Sequence, residues 1–90
     1  MDAAYYGDIS GILHGLAIRL SDRISADELA MVTEFVDANE LGLALESLAD
    51  FLAEDDRPVT ADERADMLAL GDRMEMDGRV SRALAFCPER

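Results

Sequence analysis

Ninety residues, half of them apolar, suffice for one core that removes about 60% of the unfolded chain's surface from water, and leave no room for two domains. Twenty acidic residues stand against eight arginines and no lysine, and the resulting net charge of -12 repels DNA, RNA and anionic lipid while speeding encounter with basic proteins. The apolar content is too high and too evenly spread for a disordered acidic tail, so residues 1–90 are expected to fold as a single domain.

Ile9, Ile12, Leu13, Leu16, Ala17 and Leu20 recur at helical spacing and predict a first helix from Asp8 to about Asp22, capped by Asp8 or Ser10 and weakened by Gly11 and Gly15. Ser25 followed by Glu28 reads as a capping box. A second helix should start there and run to about Ala38, with Leu29, Val32, Phe35 and Val36 on one side and Asn39 in a left-handed turn at its end. Helix three, Glu40 to about Glu54, has the broadest apolar arc: Leu41, Ala44, Leu45, Leu48, Phe51 and Leu52.

Pro58 disfavours helical geometry at Arg57 and marks a surface loop, after which Thr60 and Glu63 form a second capping box. Helix four is expected from Ala61 to about Met76, with Met67, Leu68, Leu70 and Met74 inward and Gly78 closing it. A last short helix, Val80 to Phe86, would place Val80, Leu84 and Ala83 against the rest before Cys87 and Pro88 end it. No run alternates as a strand does and no internal repeat stands out, so the expected class is all-α, a four- or five-helix bundle with short connections.

Helix three also carries the candidate binding residues. With Leu41 at 0° and 100° per residue, Glu46, Asp50 and Glu54 fall at about 140°, 180° and 220°, opposite the apolar arc, and Leu43 falls among them at about 200°. The chain is expected to give these acids no cation on that face, and like charges four apart weaken an isolated helix by a few tenths of a kcal/mol per pair. A solvated face accounts for such a strip. So does a docking surface for a basic partner, in which Glu40, Leu43, Glu46, Asp50 and Glu54 make contact, Leu43 as apolar anchor and the acids facing lysine or arginine. Asp55, Asp56, Asp62 and Asp66 read as solvated charge, partly offset by Arg57 and Arg64.

Chemistry of other kinds finds little purchase. Asp72 to Gly78 has the outline of a calcium loop, but Arg73 stands where its first acid should be and Leu84 where its bidentate glutamate should be. One histidine and one cysteine do not make a zinc site. His14 and Cys87 occupy no nucleophile motif, and an acyl carrier's Asp-Ser-Leu is replaced by Asp22-Arg23-Ile24-Ser25, with Ser25 already explained as a cap. Met67, Met74 and Met76, with Met31, could form an adaptable binding groove, but at helical spacing Met67 and Met74 read as core filling. No catalytic residue, metal or cofactor is expected. The lone Cys87 excludes an intramolecular disulfide and fits a reducing compartment. Asp2 and Asp8 stand where a leader would be basic, and no apolar run approaches the roughly 20 residues of a membrane span, so a cytoplasmic protein without membrane contact is expected.

The stretch Glu34-Phe35-Val36-Asp37-Ala38-Asn39-Glu40-Leu41-Gly42-Leu43-Ala44-Leu45-Glu46-Ser47-Leu48-Ala49-Asp50-Phe51-Leu52 resembles the centre of MafI-family immunity proteins. Pro58, Thr60, Leu70-Gly71 followed by Met74, and the closing Phe86-Cys87-Pro88 are similar to that family's second half, so the resemblance covers roughly residues 30 to 88. It departs at Asn39, where the family tends to have glycine; both residues accept left-handed geometry. The resemblance implies a small acidic cytoplasmic inhibitor that protects its producer by binding a cognate secreted polymorphic toxin, often a nuclease. A non-catalytic acidic adaptor or oligomer subunit that binds another basic protein is the alternative reading of the same residues.

Overall fold

The computed structural model describes residues 3–90, so Met1 and Asp2, and the part of the amino-terminal reading that rested on Asp2, lie outside it. Five helices follow in order among the described residues: α1 Ala3–Arg19, α2 Ala26–Asp37, α3 Leu41–Glu54, α4 Ala61–Arg73 and α5 Arg79–Leu84. The result is the expected small all-α bundle. Its radius of gyration of 12.0 Å equals the roughly 12 Å of a well-packed chain of this length, so the charge of -12 does not swell it.

Both capping boxes form. Ser25 Oγ accepts from the Glu28 amide at 3.1 Å while Glu28 Oε1 accepts from the Ser25 amide at 2.8 Å. Thr60 and Glu63 repeat the exchange at 3.1 and 2.9 Å. At the end of α2, Asn39 takes the expected left-handed conformation with φ of 61°, and the Glu40 amide reaches back to the Phe35 carbonyl at 2.8 Å.

Four boundaries differ from the sequence reading, one of them the end of α1, which stops at Arg19 rather than at about Asp22. α1 starts five residues before Asp8, because Tyr5 and Tyr6 pack partly into the core and Arg73 of α4 lies 5.4 Å over the Tyr5 ring. Asp8 is therefore no cap but a mid-helix partner for Arg73 at 2.6 Å. α4 stops at Arg73 because Glu75 turns left-handed with φ of 57°, and Gly78, with φ of 74°, leads into α5 rather than closing α4. α5 ends at Leu84, which leaves Phe86 beyond it and 67% exposed.

α3 lies at the centre and packs against the other four helices. Leu41, Ala44, Leu45, Leu48, Ala49 and Leu52 are its buried side chains, joined in one core by Ile9, Leu13, Leu16 and Leu20, by Val32 and Val36, by Met67 and Leu70, and by Val80 and Leu84. Ile12, expected on the α1 stripe, is instead 37% exposed on a groove of about 460 Å³ between α1 and α4. Arg19–Asp66 at 2.9 Å joins the two sides of that groove, and Arg73–Asp8 at 2.6 Å ties the same two helices beyond it.

The carboxyl-terminal residues close the bundle. The Val59 amide donates to the Pro88 carbonyl at 3.0 Å and the Arg90 amide to the Val59 carbonyl at 2.8 Å. Arg64 donates to the Leu84 and Cys87 carbonyls at 2.7 and 2.6 Å, tying α4 to the end of α5 and the turn that follows it.

Candidate partner-binding site

The α3 strip faces outward. Leu43 is 41% exposed, Glu40, Asp50 and Glu54 are exposed, and Glu46 is half-buried. Glu40 occupies the position before the first turn, and its side chain makes no capping bond. The five residues are spread along one helix rather than gathered round a pocket: fourteen positions at 1.5 Å rise put Glu40 about 20 Å from Glu54.

The absence of a cation on this face is corrected by the structure. Arg79, the first residue of α5, places Nη2 3.1 Å from Glu46 and 3.0 Å from Asp50. A single-helix projection has no knowledge of a neighbouring helix, and α5 packs along the edge of α3 on which these two acids stand. Glu40 and Glu54 keep no ion pair among the described residues.

Arg79 is one case of a general rule in this molecule: every arginine is bound internally. Arg19 holds Asp66, Arg73 holds Asp8, and Arg90 holds Asp22 at 3.0 Å. Arg64 and Arg82 are taken up by backbone carbonyls. The remaining two form a reciprocal pair that the sequence reading missed. Arg23, just before the first capping box, binds the glutamate of the second through both Glu63 oxygens, at 2.8 Å for Nη2–Oε2. Arg57, just before the second box, binds the glutamate of the first, at 2.6 Å to Glu28 Oε1. The legible signal was a short likeness, Arg23-Ile24-Ser25-Ala26-Asp27-Glu28 against Arg57-Pro58-Val59-Thr60-Ala61-Asp62-Glu63.

Titration follows from that geometry. Glu63 is 5% exposed, and the Arg23 guanidinium, outweighing burial, holds its carboxyl down to about 2. Arg57 lowers Glu28 in the same way, and the two arginines are shifted upward by their carboxylates. With the arginines engaged, the negative charge left facing water includes Asp27, Glu34, Glu40, Glu54, Asp56, Asp62, Asp72, Glu75 and Asp77, all exposed.

The other candidates are quickly placed. His14 is exposed, with Nε2 3.6 Å from Asp37. Cys87 is buried, and burial pushes its thiol pKa up, opposite to what a nucleophile needs. Among the described residues no three His, Cys, Asp or Glu side chains converge to hold a metal, and no helix is long and apolar enough to cross a membrane. Phe86 and a groove of about 510 Å³ between α3 and α5 complete the exposed features near the strip. Comparison with protein-family models, curated proteins and solved structures returns no match.

Proposed function

We propose that this chain is an immunity-type inhibitor that binds a cognate secreted polymorphic toxin, a basic nuclease-like domain, in the cytoplasm of the producing cell and covers the groove in which the toxin holds its substrate. The excess of twenty acidic residues over eight arginines, six of which pair with carboxylates of the same chain, carries the reading, because it leaves the outward field dominated by carboxylates. Such a field attracts the cationic surface that a nuclease needs for phosphates, and repels the nucleic acid itself. The likeness to MafI-family immunity proteins around α3 supports the same conclusion. The chain acts by occlusion, with no catalysis of its own.

Within this reading Leu43 is the apolar contact on α3. Only about two-fifths of it remains to be buried, which sets its contribution near 1 kcal/mol rather than the 1.5–3 kcal/mol of a fully exposed leucine. Glu40 and Glu54 act mainly on the association rate, as rim charges do. The test is capture of the toxic domain encoded beside this chain's gene, followed by rescue of toxin-poisoned cells. Leu43→Ala should weaken capture about fivefold through faster release, and joint neutralisation of Glu40, Glu46, Asp50 and Glu54 should slow association at low salt. Capture that ignores both changes removes α3 from the interface, and a neighbouring frame without toxicity removes the inhibitor reading.

A further inference from the structure

Among the four longer helices only α1 balances its charges: Asp8 and Arg19 are its sole acid and its sole arginine, in a chain of net charge -12. Both stand on its exposed side. With Asp8 at 0° and 100° per residue, Arg19 falls at about 20°, Ile12 at about 40°, Gly15 at about -20° and Gly11 at about -60°. All five are exposed, and α4 reaches only the edge of this face, across the groove lined by Ile12, Gly15 and Ala69. Glycine weakens a helix interior, yet inside the chain nothing comes within 4 Å of the place a Cβ would take at Gly11 or Gly15. The bare backbone serves no packing within the molecule. It leaves a shallow hollow beside Ile12.

The same face is complementary to itself. Set antiparallel about a two-fold axis at the level between Leu13 and His14, two copies of α1 oppose Asp8 to Arg19 and Ile12 to Gly15, each pairing made twice. At 1.5 Å per residue, Asp8 and Arg19 both lie about 8 Å from that level, on opposite sides of it. Opposite charges and the apolar knob with its hollow therefore coincide in one register. Inside its chain Asp8 uses one carboxylate oxygen on Arg73, and Arg19 one guanidinium nitrogen on Asp66. The other oxygen and the other nitrogens are left for the second copy, in a row Arg73, Asp8, Arg19, Asp66 whose signs alternate across the seam.

We propose that this face of α1 pairs with a second copy of the chain, as a weak antiparallel two-fold dimer in which Ile12 of each protomer sits on Gly15 of its partner and Asp8 pairs with Arg19. A cationic protein has no reason to choose this face, because balanced charge gives no steering. The net charge of each copy opposes association at long range, but salt of 0.1 M screens it beyond about 10 Å, and the contacts across the seam lie well inside that distance. One helix pair falls short of the roughly 1,200–2,000 Å² of a stable interface, so the chain is monomeric in dilute solution and pairs only when concentrated. The dimer stands whether or not a toxin occupies α3.

The test is sedimentation equilibrium of the full chain in about 0.3 M salt, from about 10 µM to about 1 mM. The average mass should rise from that of one chain toward that of two, with a dissociation constant on the order of 100 µM. Gly15→Leu fills the hollow without meeting anything near its Cβ inside the chain, so it should keep the circular dichroism spectrum and weaken association about tenfold or more. Asp8→Arg and Arg19→Asp should each stay monomeric alone, because each sets like charges opposite one another across the axis. Mixed in equal amounts they should pair, because the mixed dimer restores two contacts of opposite sign. Each variant loses its half-exposed ion pair within the chain whether alone or mixed, so the gain on mixing reports the interface. The mass of one chain throughout, a dimer indifferent to Gly15→Leu, or a mixture no heavier than its components overturns the proposal.

Discussion

The Glu63 carboxylate accepts from the Thr60 amide and from two nitrogens of Arg23 while 5% exposed, so one side chain both starts α4 and ties it to the turn after α1. Its folded pKa of about 2 lies below the ordinary 4.5, so the stabilisation is complete above pH 4.5 and is lost as pH falls toward 2. A shift of that size corresponds to about 3 kcal/mol. Denaturant unfolding should therefore show a steep loss of stability between pH 4.5 and 2, in the same direction as the loss from Glu28. Glu63→Gln should be less stable at pH 6 and flatter across that window; a variant with the wild-type slope would contradict the assignment. Arg23→Ala leaves the buried carboxylate alone and should cost about 3–5 kcal/mol.

Among the helices, α1 is held by its neighbours more than by its own sequence. Gly7, Gly11 and Gly15 lie in it with nothing near the place a Cβ would take, so Gly11→Ala should add about 0.5–1 kcal/mol of stability, read as a higher Tm. A lower Tm would mean that this face is closely covered. On α3, Arg79→Ala removes only half-exposed ion pairs and should change stability by less than about 1 kcal/mol, while freeing Glu46 and Asp50 to speed association with a cationic partner. Elements set by local chemistry were legible in sequence: the capping boxes of α2 and α4, the Asn39 turn and the α3 arc. Those set from a distance were not. The start of α1 depends on Tyr5 meeting Arg73, 68 residues away, and the charge state of the α3 strip depends on α5. Phe86 was expected inside the last helix; it lies outside because α5 ends at Leu84.

For the molecule as a whole, eight arginines used as internal ties let a chain with a charge of -12 pack tightly while presenting carboxylates outward. Of the candidate strip, sequence spacing found the exposure of Leu43, Asp50 and Glu54, because one helix's geometry decides it, whereas Glu46, placed outward by the same spacing, is half-buried. It missed Arg79 and the Phe86 groove, because both arise where two helices meet. The most direct measurement is the association rate with the neighbouring toxic domain as a function of ionic strength. An outward anionic surface predicts a rate that falls steeply as salt screens it, with the dissociation rate little changed. A rate independent of salt, or one unaltered when Glu40 and Glu54 are neutralised, would contradict the account.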